Sequence, residues 1–175
     1  TVEPVISIHE SSKIVPAVQV QQIKKKKTDV AIRKVNTKTI AGLNQAYQFD
    51  TFIIGDNNQF AYASARAVAD KLGTLYNPLL LYGSSGLGKT HLLHAIGNHV
   101  QATQPHLSVL YQTTDRFVTE FISSVRFDSI AKFQAKYKNI DLLLIDYIQF
   151  MVGKEQTQEI FFQIFNSLYE ENKQI

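Results

Sequence analysis

Cysteine is absent from the 175 residues, which excludes disulfide bonds and thiolate-bound metal. A reducing, cytoplasmic setting is thereby permitted. No apolar run approaches the ~20 residues needed to span a bilayer. The N-terminus lacks the charged-then-apolar order of a secretory signal. It begins at Thr1 rather than Met, as an excerpt from a longer chain would. Charge is modest, with 19% of residues Asp, Glu, Lys or Arg and 45% hydrophobic. That composition suits one globular domain plus a tail.

The net charge of +3 is unevenly placed. Residues 1–40 carry eight Lys or Arg against three acids, and residues 41–175 carry ten against twelve. The basic excess therefore belongs to the N-terminal stretch, which mixes Pro, Ser, Gln and Lys with isolated valines and has no sustained period. Residues 1–42 are expected to form a flexible basic linker, with order beginning near Leu43. Weak phosphate attraction through Lys24, Lys25, Lys26 and Lys27 is a second reading of the same residues.

Beyond residue 43 the elements alternate. Ala61, Ala65, Val68 and Leu72 share one helical face, with Asn57 or Asn58 placed to cap the helix and Gly73 to end it. Pro78–Tyr82 reads as a short apolar strand, 89–103 as a helix and Ser108–Gln112 as a second strand. Helices over about 114–125 and 128–138 follow. Ile140–Ile145 is a third strand, apolar enough to be buried on both faces. A last helix, 155–171, carries Phe161, Ile164, Phe165, Leu168 and Tyr169 on one stripe, and Phe161, Phe162 and Phe165 are expected in the core. Strands alternating with helices predict an α/β fold with a parallel sheet flanked by helices. Ile175 reads as the first residue of a further strand, without which a sheet edge and an apolar face stay open.

Gly83-Ser84-Ser85-Gly86-Leu87-Gly88-Lys89-Thr90 fits G-x-x-x-x-G-K-[ST] without a mismatch. Glycines let the backbone wrap phosphates so that successive N–H groups point inward, and a helix starting at Lys89 adds its positive end. Lys89 is placed to reach the β- and γ-phosphates and Thr90 to hold Mg²⁺. An apolar strand ending in Asp146 follows Thr90 by 56 residues. Its carboxylate would sit at the strand's C-terminal edge beside the loop, where it holds the Mg²⁺ directly or through water. Three histidines, His91, His94 and His99, lack a Cys or paired acid at ligand spacing and read as packing residues rather than metal ligands.

With both nucleotide motifs placed, residues 43–175 resemble the AAA+ ATPase domain of the bacterial DnaA-type replication initiators. The resemblance is carried by Tyr47–Phe52, by Tyr76–Gly83, by Gly86–Asn98, and by Ile145-Asp146 with Ile148–Phe150 and Gly153–Glu159. It implies a P-loop NTPase sheet, truncated before the later strands and lid. It implies ATP (or ADP) with Mg²⁺ as cofactor, contacted by Gly83, Ser84, Ser85, Gly86, Leu87, Gly88, Lys89, Thr90 and His91. Helices 114–138 occupy the place of an initiator-specific insertion that promotes stacking into a filament and lines a path for single-stranded origin DNA. By motif position Ile122, Lys154, Gln156 and Thr157 would contact that strand, with Gln156 standing where some relatives carry Arg. The replicative helicase would be met through an N-terminal domain, and the setting would be the cytoplasm, at the nucleoid.

One position departs from the family pattern. Family members place a second acid after the Mg²⁺ ligand to orient the attacking water; this chain has Tyr147. A phenol is protonated at neutral pH and a poor base. Weak ATPase activity is expected, and a nucleotide-binding regulator that does not hydrolyse is the alternative. A helicase loader is a third reading, which the Gly153–Glu159 block disfavours.

Overall fold

The computed structural model describes residues 42–175 in full and residues 5–8 as backbone. Among the described residues, nine helices and strands run in the order β1 (Val5–Ile8), α1 (Gln59–Asp70), β2 (Leu80–Gly83), α2 (Lys89–Thr103), β3 (Val109–Thr113), α3 (Thr114–Arg126), α4 (Ile130–Lys138), β4 (Leu142–Asp146) and α5 (Glu155–Glu170). Single 3₁₀ turns lie at Phe49–Thr51 and Ile148–Met151. Every strand pairing among the described residues is parallel: β1 with β2, and β3 with β4. The expected α/β architecture is the one observed.

Successive side chains of β4 enter cores on opposite faces of the sheet, as a pleat of period two requires. Leu142 and Leu144 of β4 enter a core with Ala61, Ala65 and Ala69 of α1, Leu92, Ala95, Ile96 and Val100 of α2, and Leu43 and Phe49. Leu143 faces the other way, into a core with Phe117 and Phe121 of α3, Phe133 and Tyr137 of α4, and Ile160, Ile164 and Leu168 of α5. Helices therefore cover β4 from both faces, and its C-terminal residue Asp146 emerges at the sheet's top edge. Among the described residues no helix is long and apolar enough to cross a membrane.

The sheet pairs are joined by the chain's last residues. Leu142 bridges Gln174 in parallel register, and the Leu79 N–H donates to the Ile175 carbonyl at 2.8 Å. The buried Gln174 amide also binds the Gly73 N–H and the Tyr76 carbonyl, tying the loop before β2 to the same place.

Three expectations need correction. Val5–Ile8 lies within the stretch read as linker, yet forms a strand on β2; its Val-Ile-Ser-Ile run suits a pleated ladder against an open strand edge. The rest of the expected linker lies outside the described residues. Phe162 is 62% exposed and Tyr169 is exposed, so the buried face of α5 is Thr157, Ile160, Ile164 and Leu168. The aromatic residues make the apolar stripe wider than the core that covers it. Ring stacking continues outside that core, from Phe162 to Phe165 and on to Tyr169.

Candidate nucleotide site

β2 ends at Gly83 and α2 begins at Lys89, so the loop between them lies at the C-terminal edge of the sheet. The loop is curled. Lys89 Nζ reaches back over it to donate to the Gly83 carbonyl at 2.9 Å and the Ser84 carbonyl at 2.7 Å. Gly88 sits at the helix N-cap with φ 85°, in the left-handed region, and a Cβ added there would stand 2.6 Å from Phe52 Cε2. Both the conformation and the close approach therefore demand glycine. No acid lies in the first turn of α2, which leaves its positive end available to an anion.

Asp146 faces this loop across the sheet edge. Thr90 Oγ1 donates to Asp146 Oδ2 at 2.7 Å, the Tyr111 hydroxyl donates to the same oxygen at 3.2 Å, and the Tyr147 N–H donates to Oδ1 at 2.9 Å. The carboxylate is only 7% exposed. Burial, then the adjacent Asp146 carboxylate, push the Tyr111 hydroxyl far above the ordinary phenol range, so it remains a donor. Thr90 and Asp146 thus present two hard oxygen donors side by side. That pair fits Mg²⁺, which keeps several waters and takes one or two protein oxygens plus phosphate oxygens. Among the described residues no group of three His, Asp or Glu side chains forms a metal cage.

A cavity of about 1090 Å³ runs past Gly83, Ser85, Gly86, Gly88, Lys89, Thr90 and Asp146 and continues down the gap between β2 and β4. A second, of about 390 Å³, opens on the far side of the loop, between Gly86, Leu87 and Gly88 and the Thr51–Asn58 segment. His91 lines both.

The segment before α1 is fastened to α2 by residues on one helical face. His91 Nε2 lies 2.8 Å from the Gln48 carbonyl, and its ring stacks on Tyr47 with centroids 4.8 Å apart. His94 Nδ1 accepts the Asn44 N–H at 3.2 Å, and Asn98 Nδ2 donates to the Asn44 and Tyr47 carbonyls at 2.9 Å each. Burial holds the His94 imidazole below its ordinary range, so it is neutral at pH 7 with Nδ1 as acceptor. All three histidines pack against aromatic rings, His94 on Tyr111 and His99 on Phe49, and the His91 ring meets Phe52 edge-on at 5.2 Å beside the loop. Sequence reasoning missed Phe52, Tyr111 and Asn98 as parts of the site. The signal for the last was its place seven residues after His91 on a helix, which puts both on one face.

The loop, Lys89, Thr90 and Asp146 are brought together; the residues assigned to a DNA strand lie elsewhere. Ile122 is 54% exposed on α3, in an apolar edge with Val125, Phe127 and Ile130. Lys154 and Gln156 are exposed at the start of α5, where Lys154 Nζ donates to the Phe150 carbonyl at 2.6 Å. Thr157 is only 4% exposed, because its position falls on the buried stripe of α5, and its side chain offers no surface to a strand. Asp115, whose carboxyl is held below the usual carboxylate range chiefly by a Thr113 hydrogen bond, also feels the Lys154 charge. Tyr147 adopts φ 60° and ψ 39°, with its half-exposed ring stacked on Phe150.

The bacterial DnaA ATPase domain matches residues 43–175. A chromosomal replication initiator protein DnaA from Citrifermentans bemidjiense is 52% identical over 136 residues, which are 78% of this chain and 30% of the relative. The chain thus spans about a third of that relative's length. Domain III of the Thermotoga maritima replication initiation protein DnaA superposes with a TM-score of 0.74 at 45% identity, over 76% of this chain and 55% of that one. A replication initiator DnaA bound to AMPPCP and single-stranded DNA superposes with a TM-score of 0.73 at 43% identity, over 77% of this chain and 41% of that one.

Proposed function

Since the chain belongs to the bacterial DnaA ATPase-domain family, we propose that it is the ATP–Mg²⁺ switch of a chromosomal replication initiator. The observation that carries this reading is the 2.7 Å contact between Thr90 and Asp146 across a curled Gly83–Thr90 loop. The solved relative holding AMPPCP, an ATP analogue, supports it. The Gly83–Thr90 backbone would hold the triphosphate, Lys89 would exchange its carbonyl partners for the β- and γ-phosphates, and Thr90 and Asp146 would hold Mg²⁺. The metal's chemistry is to neutralise charge on the phosphate oxygens. The 390 Å³ cavity beside Phe52 and His91 would offer room for the base.

ATP acts by shifting populations. The bound form favours stacking of subunits at the origin, and the stack holds one DNA strand. Exposed Ile122, Lys154 and Gln156 form this chain's share of the strand path. Thr157 contributes position rather than contact. Melted origin DNA, further copies of the chain, and a replicative helicase met through another domain are the partners, in the cytoplasm at the nucleoid. Hydrolysis resets the switch and is slow, because Tyr147 replaces the water-orienting acid. That substitution also favours the second reading, a regulator that binds ATP without hydrolysing it.

Binding to single-stranded oligodeoxythymidylate, measured with the full-length protein across a salt series, tests the strand path. Affinity is expected to require ATP and Mg²⁺. Lys154→Ala should flatten the slope of log K against log salt by about 0.7, the share of one phosphate contact on a single strand. An unchanged slope removes Lys154 from the path.

A further inference from the structure

Asp146 faces the phosphate loop, and one of the three donors that orient it, Tyr111, comes from a residue that lines neither cavity. Register explains how. In the β3–β4 ladder Thr113 pairs with Asp146 and Tyr111 with Leu144, so Tyr111 and Asp146 are diagonal neighbours on one face of the sheet. A diagonal neighbour lies farther off than a directly paired one, a gap that a side chain as long as tyrosine can cross. The Tyr111 hydroxyl closes it, donating to Asp146 Oδ2 at 3.2 Å.

The ring that carries this hydroxyl is itself clamped. His94 lies against it with centroids 4.2 Å apart and planes 34° apart. The imidazole is in turn fixed by the Asn44 N–H on Nδ1. On the other flank the chain passes at Gly42, where an added Cβ would stand 3.3 Å from Tyr111 Cδ1. Tyr111 is 8% exposed and buried in the core against α1 and α2. The phenol therefore has one place to put its proton.

We propose that Tyr111 is a positioning residue for Asp146, holding the carboxylate in the rotamer that receives Mg²⁺; the inference rests on the nucleotide reading above. Oδ2 carries two hydroxyl donors and Oδ1 one backbone donor, so the carboxylate plane is set before the ion arrives. Tyr111 lines neither cavity, so it would touch neither the ion nor the phosphates. Its effect lies in the metal dependence of binding, not in nucleotide binding as such. Thr90 cannot substitute for it: that hydroxyl approaches from α2, and its oxygen is needed by the ion.

Tyr111→Phe removes the hydroxyl and keeps the ring against His94. In the full-length protein, a fluorescent ATP analogue is titrated in EDTA, and Mg²⁺ is then titrated at fixed nucleotide. The variant is expected to need roughly tenfold more Mg²⁺ for half-saturation, the usual loss when a partner of a metal ligand is removed. Its nucleotide affinity in EDTA should match the wild type, while its melting temperature falls by a few degrees, as loss of one buried hydrogen bond requires. Mn²⁺ binding followed by electron paramagnetic resonance should show the same shift. Coincident Mg²⁺ curves would overturn the positioning role and leave the nucleotide reading standing. Equal weakening with and without metal would also overturn it, by marking Tyr111 as a packing residue only. A wild-type protein that binds no nucleotide would overturn both.

Discussion

Lys89→Ala is expected to weaken ATP binding by roughly a hundredfold or more, to the edge of detection at micromolar protein. The ammonium makes charge-assisted hydrogen bonds to phosphate oxygens, each worth about 1.5–3 kcal/mol. Losing two of them at about 1.4 kcal/mol per tenfold gives that factor. The fold should hardly notice. The groups Lys89 now binds are the Gly83 and Ser84 carbonyls, and both residues are exposed, so water replaces the lost donor. Equilibrium dialysis or a filter assay, with a melting curve as control, separates the two effects. Full ATP binding by a folded variant would refute the loop's assignment.

A second large change is expected in the opposite direction. Tyr147→Asp should raise ATP hydrolysis by about a hundredfold, the lower end of what a placed general base supplies. Three features of the position favour a clean result. The residue sits at φ 60°, where Asp is several-fold enriched over bulky side chains. Its ring is 45% exposed and packs on Phe150 rather than in either core, so little burial is forfeited. Its contact with Asp146 is made by the backbone N–H, which the substitution keeps. ATP–Mg²⁺ binding should therefore be unchanged while single-turnover hydrolysis accelerates. An equal rate in the two proteins would remove Tyr147 from the account of slow turnover.

Much of this site was readable before any coordinates, because it is built from short local patterns. Gly88-Lys89-Thr90 sets a left-handed turn, a helix start and two ligand side chains within three residues. Asp146 follows from an apolar run of strand length ending in a carboxylate. What stayed hidden is what the fold brings together across long stretches of chain. Phe52 meets Gly88, Asn98 meets Asn44 and Tyr47, and Tyr111 meets Asp146, each pair separated by more than thirty positions. No spacing rule links such pairs.

The same distinction accounts for the misreadings. Along α5 the period of 3.6 was correct, but Phe162 and Tyr169 are apolar without being covered, and Thr157 is covered without being apolar. Periodicity locates a helical face; it does not set how far the neighbouring elements extend over it. Val5–Ile8 makes the complementary point. A four-residue strand carries too little pattern to stand out from a mixed stretch, and its pairing with β2 becomes visible only through the register from Val5 against Leu80 to Ile8 against Gly83.

The central claim is that the backbone from Gly83 to Thr90 encloses a triphosphate while Asp146 secures its metal from the opposite strand. A crystal structure of the full-length protein with AMPPCP and Mg²⁺ tests it most directly. The account predicts the β-phosphate within the loop's amides, Lys89 turned away from the Gly83 and Ser84 carbonyls toward phosphate oxygens, and the ion between Thr90 and Asp146. A nucleotide bound elsewhere, or an ion remote from Asp146, would contradict it.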